Sequence, residues 1–304
     1  MAVLSVVIPA YNEEEMLPKT VTVLGELLRK EKISYELLFV DDGSGDGTWE
    51  KIRHASQEDP KIRGIRFSRN FGKESAIFAG LAQAEGECVA VMDCDLQHPP
   101  ETLVEMYRMW EQGYEVVEGV KRTRGTESVF HRMSAGLFYR IMSRSTGIDM
   151  QRASDFKLLD KKAVKVLLSM PERNAFFRAM SSWIGFRSTS ISFDVAEREA
   201  GESKWSLWAL TRYAVKNIVG YSSAPMQFVT GAGVIVFVFA LILGIQTLVR
   251  YFSGQAATGF TTVILLLLMI GSVVMISLGI IGYYIARIYE EVKGRPKYII
   301  SEKV

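Results

Sequence analysis

VMDCDLQHPPE, residues 91–101, is the stretch on which the reading of this chain turns. An apolar segment, Glu87–Met92, runs into Asp93 and Asp95 and is followed by Gln97 and the pair Pro99 and Pro100. Where the backbone is extended, residues two apart point to the same side. Two carboxylates held that way repel each other, which shifts a pKa or invites a cation. A hard divalent ion, Mg²⁺ or Mn²⁺, suits such a pair, because it takes few carboxylates and leaves positions for phosphate oxygens. Gln97 adds a neutral oxygen or orients bound water. Taken alone, the same residues also describe two surface carboxylates in a loop, so the surrounding chain has to decide.

Upstream, short apolar runs alternate with helical periodicity. Strands are expected at 3–8, ended by Pro9, and at 35–40, 62–67, 87–92 and 115–120. Helices are expected at 15–30, from 48 to about 55, and at 72–84 and 100–111, the first with Leu17, Val21, Leu24 and Leu28 on one face. Strand–helix alternation with short connections predicts an α/β fold, a mostly parallel sheet with helices on both faces. Ligands in such sheets sit beyond the carboxyl ends of the strands. Three polar clusters fall there: PAYNE at 9–13, DDGSGDGT at 41–48 and DCD at 93–95. Two common nucleotide folds are excluded. PAYNEEE after the first strand is not a GxGxxG turn, and NFGKES at 70–75 lacks the spaced glycine and the hydroxyl residue after lysine of a P-loop.

The second half differs in kind. Residues 217–249 and 251–286 carry no charged side chain, and Arg250 stands between them. A bilayer needs about 20 apolar residues per helix. Spans are expected at about 228–249 and 260–286, a transmembrane hairpin; a pair of buried core helices is the alternative. Arg287, Lys293, Arg295, Lys297 and Lys303 follow the second span, so the positive-inside rule places both termini in the cytoplasm. No signal peptide is expected in residues 1–30. The net charge of +2 gives no reason to expect a nucleic-acid partner. Cys88 and Cys94 match no common zinc spacing, and His98 does not complete one.

The segments HRMSAGLFYRIMSR (131–144) and 205–221 each carry one apolar face and a separate basic side. They read as helices lying on the cytoplasmic leaflet, with Trp205 and Trp208 as interface residues, or else as core helices of the domain.

VVIPAYNEE, VDDGSGDGT, RNFGKESA, MDCDLQHPPE, SDFKLLD, WIGF, REAGESKW and GRPKY together resemble the family 2 glycosyltransferases, in the subgroup that makes polyprenyl-phosphate sugars. The resemblance runs through nearly the whole chain. It implies a GT-A type nucleotide-sugar-binding domain over 1–204, an amphipathic juxtamembrane helix at 205–222, the hairpin within 228–286 and a cytoplasmic tail at 287–304. By the same resemblance Pro9, Ala10, Tyr11, Asn12 and Glu13 line the base and ribose of the donor, with Asp41 and Asp42 beside them. Lys73, Cys94 and Ser203 join the donor site, and Asp93, Asp95 and Gln97 hold the metal. Lys73 reads equally well as a solvated lysine at a helix start. Asp155 falls near the acceptor, although Ala153 and Ser154 depart from the cysteine or glycine often found there. Arg122, Arg132 and Arg198 are the expected acceptor-phosphate groups, and Arg198, Ser203 and Lys204 match an element that closes over the phosphates.

The implied reaction is inverting transfer of a hexose to undecaprenyl phosphate at the cytoplasmic face of a bacterial inner membrane. UDP-glucose or UDP-N-acetylglucosamine is the expected donor; GDP-mannose or a UDP-linked amino-arabinose is the alternative. The resemblance also allows a homo-tetramer, as related two-span proteins can form. A lipid phosphate, with its second pKa near 6, is largely dianionic at neutral pH and needs no strong base. Asp155 is left as an orienting group or as the acceptor of a proton from the monoanion. A processive polysaccharide synthase would carry a QxxRW element, which NAFFRAMSSWIGF at 174–186 lacks. A non-catalytic lipid-phosphate binder would be expected to have lost the aspartate pair or the nucleotide cluster, and both are present.

Overall fold

The computed structural model describes residues 3–122, 154–172, 176–194, 224–253 and 259–304. Eight strands form one sheet: β1 (Leu4–Ala10), β2 (Tyr35–Asp41), β3 (Ile62–Phe67), β4 (Cys88–Val91), β5 (Val116–Lys121), β6 (Lys157–Asp160), β7 (Ser188–Phe193) and β8 (Ile300–Lys303). Their order is β7-β5-β6-β4-β1-β2-β3-β8. The middle of the sheet, β4-β1-β2-β3, is parallel. β6 runs antiparallel to both β4 and β5, and β8 closes the far edge antiparallel to β3. The sheet is therefore mixed, with the expected parallel core at its centre.

β1 and β2 bury side chains on both faces, which is why their sequences are mostly apolar, Ser5 and Glu36 apart, rather than strictly alternating. One layer packs Leu24, Leu28, Trp49 and Met106 against Val6, Ile8 and Phe39. The other packs Ile77, Phe78, Leu81 and Phe177 against Val7, Leu38 and Val91. The covering helices are α1 (Leu17–Lys30), α2 (Thr48–Glu58), α3 (Lys73–Gln83), α4 (Pro100–Glu111), α5 (Lys161–Ser169) and α6 (Phe177–Trp183). Gly80 on α3 permits its close approach, since a Cβ there would lie 2.2 Å from Val7.

Two expectations are corrected. Pro9 does not end β1: it pairs with Val40, and the strand runs on to Ala10. β4 stops at Val91, so Asp93 and Asp95 lie beyond the strand, in a turn where Leu96 adopts φ 53°.

β1 has β2 on one side and β4 on the other. The connections reverse direction there, so the crevice beyond the carboxyl ends of β1 and β4 is the topological switch point at which such sheets bind ligands.

The second unit, residues 207–294, holds α7 (Ala224–Phe252) and α8 (Phe260–Val292). Both are apolar enough to cross a membrane, through Val229–Gln246 and Met269–Val292. Their large side chains, Ile235, Phe237, Leu267 and Met275 among them, are exposed rather than packed into a core. That pattern fits lipid-facing helices and not core helices of a water-soluble domain. Residues 295–304 return to the first unit and contribute β8, a strand that nothing in their local sequence announces.

Candidate active site

The site is built from four loops at the carboxyl end of the sheet. After β1, Asn12 takes φ 58°, its N–H donates to Ser44 Oγ at 2.9 Å, and its side-chain oxygen accepts from Gly45 N–H at 3.0 Å. Glu13 N–H donates to Thr48 Oγ1 at 2.9 Å. The first two polar clusters are thus laced into one surface, with Tyr11 half-exposed on it. Asp41 and Asp42 are both buried. Asp41 Oδ1 accepts from Ser44 N–H at 2.9 Å, and Oδ2 lies 3.3 Å from Arg66 Nε.

Asp42 ties in the third loop. Its two oxygens accept the N–H groups of Phe71 (2.7 Å) and Gly72 (2.9 Å). Burial raises its pKa, the two amides work against that, and the Asp41 charge adds to the rise. Gly43, at φ 67°, lets the loops meet, since a Cβ there would lie 2.5 Å from the Arg69 carbonyl carbon.

This anchoring sets the start of α3, and hence Lys73. The Lys73 ammonium lies 2.6 Å from Asp93 Oδ1 and 3.1 Å from Asp155 Oδ2. Asp155 is buried and also takes a two-pronged bond from Arg178 on α6, Nε to Oδ1 at 2.7 Å and Nη2 to Oδ2 at 2.8 Å. Burial works to raise the pKa of Asp155, but Lys73 and Arg178 outweigh it and hold the carboxyl far below the usual range. Burial likewise opposes ionisation of Asp93, and the Lys73 ammonium reverses the sign. Lys73 keeps its proton because the two carboxylates outweigh its desolvation. Glu74, the next residue, accepts from Phe177 N–H at 2.9 Å, and burial with the nearby Asp155 charge pushes its pKa up to about 7.

The aspartate turn is fixed from behind. Thr20 on α1 donates to the Cys94 carbonyl at 2.7 Å, and Cys94 itself is buried. Asp93 N–H points to His98 Nδ1 at 3.5 Å, and His98 stacks on Phe156 with centroids 4.6 Å apart. Burial lowers the His98 pKa to about 4, leaving a neutral ring whose Nδ1 accepts. Asp95 Oδ1 accepts from Gln97 N–H at 3.1 Å. Because these residues are not extended, the alternation argument does not bring the two carboxylates together; the turn gives each its own contacts. Asp93, Asp95 and Gln97 offer oxygen donors alone, the chemistry a Mg²⁺ or Mn²⁺ ion accepts. Among the described residues no three His, Cys, Asp or Glu side chains gather to hold an ion unaided. A cation at this turn therefore fits as one whose shell is completed by water and phosphate oxygens.

Arg122 is exposed on the β5 end and pairs with Asp194 at 3.4 Å. Arg132, Arg198, Ser203 and Lys204 lie outside the described residues, as do the segments 130–144 and 205–222. Arg178, Glu74, Arg66 and the aromatic seat of His98 were missed in the sequence. Only the fold joins them to the aspartates.

The Glycosyl transferase family 2 model matches residues 5–168. The chain is 38% identical over 303 residues to the uncharacterized glycosyltransferase YkcC of Bacillus subtilis, covering 98% of this chain and 93% of that one. It is 35% identical to the SfII prophage-derived bactoprenol glucosyl transferase of Shigella flexneri, covering 98% and 97%. Among solved structures, glucosyl-3-phosphoglycerate synthase from Mycobacterium tuberculosis is 17% identical, covering 72% of this chain and 78% of that one with a TM-score of 0.49.

Proposed function

The chain belongs to glycosyl transferase family 2, and from that premise we propose that it transfers a hexose from a nucleotide-sugar to undecaprenyl phosphate at the cytoplasmic face of the membrane. UDP-glucose or UDP-N-acetylglucosamine is the proposed donor. The observation that carries the reading is the charged cluster Lys73–Asp93–Asp155–Arg178 at the switch point of the sheet, in a chain that also carries two exposed, bilayer-length helices. Its kinship with bactoprenol glucosyl transferases points to the same acceptor class.

The chemistry follows from charge. A phosphate oxygen of the acceptor attacks the anomeric carbon. The bond from that carbon to the donor diphosphate breaks, and the nucleoside diphosphate leaves with the electron pair. Attack opposite the leaving group inverts the centre. No proton has to be removed from a dianionic phosphate. Asp155, clamped by two cations, is correspondingly a poor base; its role is to hold Lys73 and Arg178 in place. Lys73 presents a fixed positive charge beside Asp93, where phosphate charge has to be accommodated. Asp93, Asp95 and Gln97 would hold Mg²⁺ or Mn²⁺, which when bound supplies charge neutralisation for the leaving diphosphate. Tyr11, Asn12 and Asp41 form the donor-side surface. Arg122, with Arg132 and Arg198, is assigned to the acceptor phosphate.

Sheet membership supports the topology. β1–β7 precede the first apolar helix and β8 follows the second, yet all belong to one sheet. A hairpin that crosses the bilayer must therefore have both ends on the side of the sheet. The basic residues after α8 support the cytoplasm as that side.

The test offers the purified full-length protein undecaprenyl phosphate, Mg²⁺ and a panel of labelled UDP- and GDP-sugars. One UDP-hexose should yield label extractable into organic solvent. A GDP-sugar product would overturn the donor assignment. Absence of lipid-linked label from every donor would overturn the reaction class.

A further inference from the structure

The end of the chain is built into the sheet close to the donor crevice. β8 lies against β3, with Gly64 and Val304 exchanging both backbone hydrogen bonds at 3.0 and 2.9 Å. Tyr298 stacks on Phe67 with centroids 5.1 Å apart, and Lys303 Nζ donates to Gln83 Oε1 at 2.8 Å. From this strand Glu302 reaches two side chains of the catalytic unit. Its Oε2 accepts from Trp49 Nε1 at 3.0 Å, and its Oε1 accepts from Arg66 Nη1 at 3.2 Å.

Arg66 faces the crevice with the rest of its guanidinium. Nε lies 3.3 Å from Asp41 Oδ2, and Nη2 donates to the Ser44 carbonyl at 3.4 Å. Asp41 is fully buried at the carboxyl end of β2, and its Oδ2 receives no hydrogen bond among the described residues. One planar cation thus spans two carboxylates, one on the last strand and one on the floor of the crevice. A guanidinium gripped from two sides has a fixed orientation, unlike a single flexible ion pair.

We propose that the C-terminal strand is a working part of the donor site: Glu302, acting through Arg66, is a positioning residue that sets Asp41 and the Ser44 turn for the nucleoside diphosphate portion of the donor. The proposal rests on the donor-site reading given above. The Glu302 side chain is half exposed and that of Arg66 about a quarter. Such a partly solvated pair adds little to stability. Its effect is accordingly on the geometry of Asp41, which separates this role from a merely structural one.

The experiment uses the full-length protein in nanodiscs, with UDP in the presence of Mg²⁺ as probe and GDP as a second probe. Glu302→Ala should weaken UDP binding about fivefold, the lower end of ordinary site-to-site coupling. Donor KM should rise by the same factor, while kcat and acceptor KM stay within about twofold; Tm should fall by no more than about 5 °C, since the buried Trp49 indole loses its acceptor. Glu302→Gln, which keeps an acceptor for Trp49 and Arg66, should recover part of the affinity. Arg66→Gln with Glu302→Ala should bind no worse than Arg66→Gln alone, because the effect passes through Arg66. Unchanged UDP affinity in Glu302→Ala overturns the proposal. So does a loss shared equally by donor and acceptor alongside a large fall in Tm. If the wild-type protein binds neither UDP nor GDP, the donor-site reading fails and takes this inference with it.

Discussion

Removal of Arg178 is the sharpest probe of the charged cluster. Its guanidinium makes bonds of 2.7 and 2.8 Å to Asp155. The Asp155 side chain is only 7% exposed, so in Arg178→Met it cannot recover hydration, but Lys73 remains 3.1 Å away. Breaking a buried ion pair from one side costs about 3–5 kcal/mol. The remaining lysine and the partial exposure of Arg178 place the expected loss lower, at about 2–3 kcal/mol. For a unit of roughly 200 residues that is a fall in Tm of about 5–10 °C. Trp49 is buried and Trp110 bonds Asp160 at 2.9 Å, so tryptophan fluorescence reads unfolding of this unit in the full-length protein. In a double-mutant cycle with Asp155→Leu, the pair should show a coupling of about 2 kcal/mol. The sign with pH is fixed: a carboxyl held below its unfolded value contributes stability above that unfolded value and loses it as pH falls through the folded one. The deficit of Arg178→Met should therefore be constant from neutral to mildly alkaline pH and shrink only in strong acid. A Tm change under about 2 °C, or additivity within about 0.5 kcal/mol, would refute the account of a clamped Asp155.

Gly43→Ala should be costly, because it combines a φ of 67° with a Cβ 2.5 Å from the Arg69 backbone; about 1–3 kcal/mol is expected from the strained backbone alone, with weaker UDP binding by calorimetry, and an unaltered Tm and affinity would contradict the close packing of the two loops. Glu74 has a folded pKa raised from 4.5 to about 7. The folded protein therefore holds this proton more tightly than the unfolded chain, and stability falls as pH rises through that interval. Glu74→Gln should flatten this fall in a Tm series across it; parallel curves for wild type and variant would sink the assignment. Asp95→Asn should cut turnover by about 100-fold or more, through lost charge compensation, with Tm kept and with Mn²⁺ no longer detected by electron paramagnetic resonance in the presence of UDP; near-normal turnover at saturating Mg²⁺ would remove Asp95 from the metal site.

The parallel core was legible because its signals are local. VLSVVI and YELLFV are mostly apolar runs, interrupted only by Ser5 and Glu36, the second closed by a carboxylate-glycine turn, and α1 repeats leucine at helical spacing. The later strands carry no such signal. β6 is four residues long and includes Lys157, fully buried and paired with Glu118 at 2.7 Å. β7 alternates small polar residues with partly covered ones, and β8 is mostly exposed. These strands exist because a neighbour pairs with them, and pairing across a sheet cannot be read from a window of sequence. The site divides in the same way. Its loops were legible from composition, whereas Arg178 meets Asp155 from 23 residues away and Glu302 meets Arg66 from 236. The aspartate pair lies past the strand, in a turn whose Cys94 carbonyl is held by Thr20, so the period-two alternation of extended backbone does not carry to it.

The aspartates at and beyond the strand ends divide the labour of the site among themselves. Asp42 spends both oxygens on the amides that set Lys73, and Asp41 is held between the Ser44 amide and Arg66. Asp155 orients two cations, and Asp93 faces one of them. Charges fixed in this way before substrate arrives need no rearrangement when negative charge moves from acceptor to leaving group. The arrangement suits a reaction between two phosphorylated partners, whose barrier is their mutual repulsion. It suits a reaction led by a general base poorly, since that would require a carboxyl titrating near neutral pH, and Asp155 is driven the other way. Glu74, the neighbouring carboxyl raised to about 7, turns toward the Phe177 amide and braces α6 rather than supplying that base. In the proposed reaction, the two cations that keep Asp155 ionised therefore favour electrostatic positioning over proton abstraction by that carboxyl.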